Sequence, residues 1–183
     1  MKNMKVRALC EGAIMVALAQ VLGYLKLYEL PFGGSVTLSM VPLFFFAIRW
    51  GLAEGLLAGF ALGLLQLVFD GAFAYTWQAM ILDYVFAYTL LGLAGLFTRM
   101  KPGIFYGTIL GSLGRYAVHV LSGVFVWSAY MPDEFLGLAM VSPWVYSLLY
   151  NGIYMGSNLL ICLVVFSLIY RPLNRYILGA DIR

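Results

Sequence analysis

Long apolar stretches separated by short polar ones run through the whole chain. A helix that spans a bilayer needs about 20 predominantly apolar residues, and six stretches approach or exceed that length. No repeat or low-complexity segment interrupts the series. We therefore predict an all-α integral membrane protein whose residues 1–183 form one domain. The six predicted helices are Ala8–Tyr28, Ser35–Arg49, Leu52–Phe69, Trp77–Phe97, Ile104–Trp127 and Pro143–Tyr170.

Composition supports a membrane protein and excludes several kinds of site. Hydrophobic residues make up 63% of the chain and charged residues 10%, against about 25% charged residues in soluble domains. Basic residues do not cluster among aromatics, so nucleic acid is not expected as a partner. The spacing of Cys10, Cys162 and the single histidine, His119, does not match a metal site. The basic residues before the first apolar stretch lack a convincing cleavage site after it, so we expect this helix to be retained.

Lysine and arginine predict the orientation in the membrane. With six spans both termini share one side, and most basic residues fall on that side. Because cytoplasmic loops are enriched in lysine and arginine, we predict that both termini are cytoplasmic. The opposite side carries mainly acidic residues near the helix ends. The residues on the basic side are Lys2, Lys5, Arg7, Arg49, Arg99, Lys101, Arg171, Arg175 and Arg183, and those opposite are Lys26, Glu29, Asp70, Asp133 and Glu134.

Polar residues inside the last three predicted helices fall at a similar depth. At about 1.5 Å per residue, Asp83 lies roughly 9 Å, His119 roughly 12 Å and Asn151 roughly 12 Å below the outer ends of their helices. Arg115 lies one turn deeper than His119 on the same helix face. Intramembrane ionisable residues commonly mark a substrate path or a buried pair. We predict a polar pocket that opens outward, with aromatic residues at or above this level: Tyr84, Trp127 and Tyr146.

The residue types in this layer indicate the ligand chemistry. Aromatic faces attract cations, and a buried carboxylate would compensate a positive charge on the ligand. The amide of Asn151 offers both a donor and an acceptor to the edge of a heterocycle. The set therefore suits a flat, nitrogen-containing ligand, including a cationic one. Loops rich in glycine, proline and aromatics on the same side could fold over it.

Each of these residues also has a simpler interpretation. Asp83 and Arg115 could pair only with each other, and His119 could serve a hydrogen bond between helices. Trp127 could belong to the aromatic belt at the membrane interface. Their shared depth is what favours a ligand site over three independent structural roles.

Small residues on the first helix suggest a helix–helix contact. Ala13 and Ala17 form a small-xxx-small pattern, which permits close approach either to a partner protein or to another helix of this chain. An enzymatic function has little support, because the G-x-x-x-x-G-K-[ST] phosphate loop is absent. A six-helix intramembrane enzyme remains an alternative, but Ser122 three residues after His119 on one helix is weak support for a catalytic dyad.

Several motifs together resemble the ThiT family, the thiamine-specific substrate-binding subunits (S-components) of energy-coupling factor (ECF) transporters. The resemblance covers nearly the whole chain, and the last three motifs are fairly specific for thiamine. The motifs are Gly12-Ala-Ile-Met-Val-Ala-Leu-Ala19, Pro31-Phe-Gly-Gly-Ser-Val36, Arg49-Trp-Gly51, Ile81-Leu-Asp-Tyr84, Gly92-Leu-Ala-Gly-Leu-Phe97, Arg115-Tyr-Ala-Val-His119 with Trp127-Ser128, and Tyr146-Ser-Leu-Leu-Tyr-Asn-Gly152.

The resemblance implies a function for the chain and a set of partners. It implies a subunit of the bacterial cell membrane that captures thiamine from outside without a cofactor or an ATPase site of its own. Its partners would be a transmembrane coupling protein, which would meet the Ala13–Ala17 surface, and two ABC ATPases that drive release inside. The alternatives are an S-component for another heterocycle, such as riboflavin or a thiamine precursor, a membrane enzyme, and a purely structural membrane protein.

The resemblance also implies site residues. Asp83 takes the place of the acidic ligand of the family, which is often the longer glutamate. The positions that correspond to ligand-facing residues are Tyr84, His119, Trp127, Tyr146 and Asn151, with Arg115 at a basic family position. Two loop positions depart from the family pattern. A family aromatic in the first external loop falls near Gly33, so Phe32 is only a candidate substitute, and a family tyrosine in the third loop falls near Phe73, with Tyr75 close by.

Overall fold

The computed structural model describes residues 2–71 and 76–182, and it contains six helices as predicted. The side chains of Lys2, Asn3 and Phe32 also lie outside the described part. Two-residue strands form one hairpin after the first helix and another before the last: β1 (Tyr28–Glu29) with β2 (Ser35–Val36), and β3 (Glu134–Phe135) with β4 (Leu138–Ala139). The helices are α1 (Lys2–Tyr24), α2 (Met40–Trp50), α3 (Leu52–Asp70), α4 (Trp77–Phe97), α5 (Gly103–Phe125) and α6 (Pro143–Ile177).

Several helix ends differ from the prediction. The first helix stops at Tyr24 because Tyr28 pairs with Val36 in the first hairpin, which also removes Ser35 from the second helix. The last helix continues through Pro172 to Ile177 instead of ending at Tyr170. Apolar length alone does not mark these ends, because the last helix continues past its apolar stretch through Arg171 and Arg175, and Tyr28 and Ser35 belong to short strands instead of helices.

Four helices of the described chain are long and apolar enough to cross a membrane: α1 from Met4, α3, α4 and α6. Helix α2 has only 11 residues, about 16 Å, and is followed by Gly51, whose φ of 106° favours glycine. Helix α5 has 23 residues but carries Arg115 and His119. Crossing of the bilayer by α2 and α5 therefore stays a prediction.

Helix α4 is held between α3 and α5 by glycines. A Cβ added at Gly63 of α3 would lie 2.6 Å from the Tyr84 carbonyl oxygen, and one at Gly111 of α5 would lie 2.9 Å from the Leu91 carbonyl oxygen. Only glycine permits backbones to approach this closely. Within α4, Met80–Phe86 is a π-helix and Leu90–Phe97 a 3₁₀-helix. Segments of π-helix occur frequently at functional sites.

Charged residues tie both chain ends together at one end of the bundle. The Arg49 guanidinium, 5% exposed, bonds Glu11 through Nε (2.7 Å) and Asp181 through Nη1 (2.6 Å). Arg7 bonds the same two carboxylates. We call these four residues the ion cluster. The bond from Arg49 holds the pKa of the Asp181 carboxyl well below its usual value. The termini therefore share one end of the bundle, and the side of the membrane that this end faces stays a prediction.

Candidate functional site

A cavity lies at the opposite end of the bundle, where α4, α5 and α6 meet the first loop. Its volume is about 140 Å³, far more than the roughly 10–15 Å³ that one water needs. This size suits a small organic ligand. The residues that line the cavity are Gly33, Gly34, Ser35, Asp70, Asp83, Tyr84, Tyr88, Arg115, His119, Gly123, Trp127, Tyr130, Tyr146, Ser147, Tyr150, Asn151 and Tyr154.

The carboxylate of Asp83 accepts three hydrogen bonds in the cavity wall. Its Oδ1 lies 3.0 Å from Nδ1 of His119, and its Oδ2 accepts from the Ser122 hydroxyl at 2.8 Å and from the Trp127 indole N–H at 2.9 Å. All three partners belong to α5 or the residues that follow it. These three bonds fix the orientation of the carboxylate, which makes no direct contact with an arginine or lysine among the described residues.

The His119 ring lies between the acidic side chain of Asp83 and the basic side chain of Arg115. Its Nε2 accepts a hydrogen bond from Nε of Arg115 at 3.2 Å, and the Arg115 guanidinium lies 4.0 Å from the centre of the Tyr88 ring. Arg115 and Asp83 do not form a direct ion pair, so the interpretation that they pair only with each other is wrong. His119 of α5 does form a hydrogen bond to a neighbouring helix, through Asp83 of α4. Both residues lie in the cavity wall.

Asn151 is held in place by neighbours on α6 and by His119 of α5. Its Nδ2 donates to the Ser147 carbonyl oxygen at 2.9 Å and the Ser147 hydroxyl at 3.1 Å, and more weakly to the His119 carbonyl oxygen at 3.3 Å. Its Oδ1 accepts from the Tyr154 hydroxyl at 2.8 Å. An amide oxygen has two lone pairs, so Oδ1 can still accept one hydrogen bond from a ligand.

The first loop is attached to α6 over the cavity. The Tyr150 hydroxyl accepts from the Gly34 N–H at 3.0 Å and donates to the Pro31 carbonyl oxygen. Asn158 accepts from the Thr37 N–H at 2.9 Å and donates to the Ser35 carbonyl oxygen at 2.9 Å. Four backbone groups of one loop are thus bonded to two side chains of one helix.

Aromatic rings continue the wall along α6. Tyr146, Tyr150 and Tyr154 are spaced four residues apart, and their neighbouring ring centroids are 5.6 and 5.8 Å apart. Phe135 from the second hairpin lies 5.4 Å from Tyr146, and His119 lies 5.9 Å from Tyr154. The wall offers several π faces to a planar or cationic ligand.

Acidic groups lie near the mouth of the cavity. Asp70 ends α3, and its carboxylate is 3.9 Å from Nζ of Lys26. Lys26 also bonds Glu29 at 2.8 Å, and this hydrogen bond raises the pKa of the Lys26 ammonium above its ordinary value. The Tyr84 hydroxyl donates to the Asp70 carbonyl oxygen at 2.9 Å, which joins α4 to the end of α3.

The structure brings most of the predicted site residues to this one cavity. Those lining it are Asp83, Tyr84, Arg115, His119, Trp127, Tyr146 and Asn151. Tyr75 and the side chain of Phe32 lie outside the described residues. The sequence analysis missed Tyr88, Tyr150 and Tyr154, although each follows a predicted tyrosine at helical spacing, Tyr84 or Tyr146.

The predicted surface on α1 and the serine alternative can also be located. Ala13 and Ala17 are exposed on α1, so they do not pack within this chain. Ser122 donates to Asp83 rather than to His119. A serine nucleophile needs a base within hydrogen-bond reach. The proposed dyad of Ser122 and His119 is therefore not formed.

Comparison with known proteins identifies the family. A sequence model of the thiamine transporter protein family (Thia_YuaJ) matches residues 9–178. The chain belongs to the thiamine transporter protein family. Two relatives agree with this assignment. The thiamine transporter ThiT of Bacillus subtilis (strain 168) is 32% identical over 91% of this chain and 92% of its own length. The thiamine transporter ThiT of Lacticaseibacillus paracasei is 32% identical over 78% of this chain and 76% of its own.

A solved structure supports the fold of this member of the thiamine transporter family. ThiT from Listeria monocytogenes superposes with a TM-score of 0.83 at 24% sequence identity, covering 94% of this chain and 98% of that one. The relatives are named as transporters. The chain is therefore a membrane transport protein rather than an enzyme, as predicted.

Proposed function

We propose that this chain is the thiamine-capture subunit of an ECF-type importer and binds thiamine in the cavity without chemical change. The Asp83 carboxylate carries the proposal: it lies in the cavity wall, and its three partners are His119, Ser122 and Trp127. Thiamine is a cation with two flat rings, so it needs one negative charge and aromatic faces. Membership of the thiamine transporter family supports the same ligand.

The site residues predicted from the sequence have proposed roles in binding thiamine. Asp83 offsets the charge of the thiazolium ring, and Trp127 and His119 provide aromatic faces. Asn151 Oδ1 accepts from the aminopyrimidine, and the Tyr146 hydroxyl, for which the described residues show no hydrogen bond, donates to the ligand. Arg115 and Tyr84 complete the floor and side of the cavity. The loop at Phe32–Ser35 is proposed to close over the ligand, and Phe32 and Tyr75 stay candidate ligand residues.

The proposal is tested by tryptophan fluorescence of the detergent-purified chain during a thiamine titration. We expect saturable quenching that depends on Trp127, because this indole lies in the cavity wall. The variant Trp127→Phe should lose most of the quenching. Since this variant also loses a bond to Asp83, isothermal titration calorimetry must separate a lost signal from lost binding.

Trp144→Phe is the matched control. Trp144 is half exposed and packs against Phe125, away from the cavity, so its removal should preserve the quenching. A folded protein that binds no thiamine by calorimetry would exclude the proposal. Competition with riboflavin and with the separate pyrimidine and thiazole precursors tests the same-class alternatives: tighter binding of any of these would reassign the ligand.

The energy for transport is proposed to come from partners. The chain has no phosphate-binding loop of its own, and Ala13 and Ala17 expose a small-residue face on α1. Such a face permits close approach of a helix from another membrane protein. We assign this face to the transmembrane coupling protein, which would connect the chain to two ABC ATPases.

The cavity is proposed to face outward, with both termini in the cytoplasm. The basic residues of the ion cluster and the loop at Arg99–Lys101 support this orientation. A membrane-impermeant maleimide should label Asp133→Cys in intact cells but not Arg175→Cys, in a background lacking Cys10 and Cys162. The reverse labelling pattern would contradict the orientation.

A further inference from the structure

Each ring nitrogen of His119 has one polar partner, and the two partners have opposite charges. Nε2 meets Nε of Arg115 at 3.2 Å, and Nδ1 meets Oδ1 of Asp83 at 3.0 Å. His119 is 9% exposed, and Tyr154 packs edge-on against its ring at 5.9 Å. The ring therefore has a defined hydrogen-bond partner on each side.

The partners decide where the ring proton lies. A guanidinium has only N–H donors and stays protonated, so Nε2 of His119 must accept and carries no proton. The ring is then neutral, and its one proton is on Nδ1. From there it is donated to Asp83, which remains an ionised carboxylate with three donors. An imidazolium is excluded as long as Arg115 holds Nε2.

None of the other titratable groups around His119 among the described residues takes the place of Arg115 as the donor to Nε2. The charged side chains that line the cavity within the described residues are Asp70, Asp83 and Arg115. Asp70 at the end of α3 lies near Lys26. The Arg115 guanidinium is held over the Tyr88 ring, which fixes its position next to Nε2. The remaining titratable groups facing this region from α4 and α6 are the phenols of Tyr84, Tyr88, Tyr146, Tyr150 and Tyr154.

We propose that Arg115 is a positioning residue that keeps His119 neutral and protonated on Nδ1, so that the Asp83 carboxylate is not paired with an imidazolium and stays available to a cationic ligand. Without Arg115, Nε2 would be free to take up a second proton. His119 would then become an imidazolium in direct contact with Asp83, so the carboxylate would be paired with a cation of the protein before a cationic ligand arrives. The tautomer is a property of the chain itself, whereas its consequence for binding rests on the proposed function.

The tautomer can be read directly because His119 is the only histidine of the chain. In protein labelled with ¹⁵N-histidine, NMR separates protonated from unprotonated ring nitrogens. The parent protein without ligand should show a protonated Nδ1 and an unprotonated Nε2, unchanged from about pH 8 to about pH 5.5, the range in which free histidine titrates. An Nε2–H tautomer, or an imidazolium at about pH 7, would overturn the proposal.

Variants of Arg115 and Ser122 distinguish the loss of the hydrogen-bond donor to Nε2 of His119 from general effects on folding. Arg115→Met removes the donor, so His119 should become doubly protonated as the pH falls through the same range. Arg115→Lys restores a group that only donates and should return the ring toward the parent tautomer. Ser122→Ala removes a different donor to Asp83 and should leave the tautomer unchanged. Arg115→Met spectra identical to the parent at every pH would overturn the proposal.

Binding measurements complete the test. The parent should bind thiamine with nearly constant affinity between about pH 8 and pH 5.5. Arg115→Met should bind thiamine about tenfold more weakly at about pH 5.5 than at about pH 8, because the ligand must displace a proton from His119. Equal pH dependence in both proteins would overturn the role in binding. If the parent binds no thiamine, the proposed function fails, and the NMR titration still decides whether Arg115 sets the tautomer.

Discussion

Tyr150 holds Gly34 across the cavity: the Gly34 N–H donates to the Tyr150 hydroxyl at 3.0 Å, and the same hydroxyl donates to the Pro31 carbonyl oxygen. A Cβ at Gly34 would lie 2.8 Å from this hydroxyl, so the contact requires glycine in the loop. One side chain of α6 thus bonds two backbone groups of the loop that borders the ligand cavity.

Tyr150→Phe should accelerate the release of bound thiamine. The variant keeps the ring and its contacts with Tyr146 and Tyr154 but loses both bonds to the loop. Because each hydrogen bond contributes about 1 kcal/mol, we expect the loss of both bonds to raise the dissociation rate about thirtyfold. Stopped-flow fluorescence during displacement of thiamine measures this rate.

Tyr116→Phe is the control for that prediction. The Tyr116 hydroxyl donates to the Leu148 carbonyl oxygen at 3.1 Å, which joins α5 to α6 outside the cavity. This variant should release thiamine at the parental rate. Equal rates for the parent and Tyr150→Phe would mean that these bonds do not limit release.

Asp83→Asn should weaken thiamine binding severely. The change keeps the size of the side chain but removes the charge that faces the cation, and contacts with charged groups contribute roughly 1.5–3 kcal/mol. We expect the dissociation constant to rise about a hundredfold, as measured by isothermal titration calorimetry. Binding as tight as that of the parent would refute the charge argument.

Asp70→Asn makes the same chemical change at the other carboxylate of the cavity. Asp70 already lies 3.9 Å from Nζ of Lys26, so its charge is partly balanced within the protein. We expect the affinity to fall less than about fivefold, because an exposed ion pair contributes at most about 1 kcal/mol. A loss as large as that of Asp83→Asn would mean that total charge, rather than the position of Asp83, determines affinity.

Helix rise and apolar length were enough to predict much of this architecture. They placed Asp83, His119 and Asn151 at one level, and in the structure Asp83 and Asn151 both contact His119, through its ring and its carbonyl oxygen respectively. They could not reveal the π-helix at Met80–Phe86, because the apolar pattern does not specify to which carbonyl oxygen each backbone N–H donates. Nor could they reveal the hairpin pairing of Tyr28 with Val36, which depends on a glycine-rich turn between short strands.

The ion cluster shows a second limit of sequence reasoning. The sequence analysis placed Arg49 among the basic residues of one membrane side and did not consider Asp181, yet the two meet in a partly buried bidentate contact. Their sequence separation is 132 residues, and no periodic pattern connects them. Such a contact follows from the packing of whole helices, which the chain order alone does not specify.

Arg49→Met should destabilise the fold without changing the cavity. It leaves Glu11 and Asp181 without their shared buried partner, and removal of one member of a buried ion pair costs about 3–5 kcal/mol. Both carboxylates keep a bond to Arg7, so we expect the lower end of this range. Thermal unfolding in detergent should show a midpoint roughly 6–12 °C lower.

Lys26→Met is the matched change at the opposite end of the bundle. Lys26 bonds Glu29 near the surface, and exposed pairs contribute about 0–1 kcal/mol. Its unfolding midpoint should therefore stay close to that of the parent. Equal shifts in both variants would mean that the burial of Arg49 adds nothing to the ion cluster.

Ala13→Leu combined with Ala17→Leu should block assembly with the coupling protein while thiamine binding persists. Both alanines are exposed on α1, and larger side chains prevent two helices from approaching closely. After co-expression, affinity purification of the tagged chain should recover at least about tenfold less coupling protein than the parent recovers, a loss of about 1.4 kcal/mol in association. Thiamine calorimetry on the isolated variant should match the parent, since α1 does not line the cavity.

The control for this surface is Val21→Leu, which adds a methylene at another exposed position of α1. It should recover the coupling protein at the parental level, because it lies outside the small-residue pattern. If the double variant also retains the coupling protein, α1 does not form the contact through Ala13 and Ala17, and the assembly surface must lie on another helix. If both variants lose it equally, the contact depends on the whole lipid-facing side of α1 rather than on close backbone approach at the two alanines.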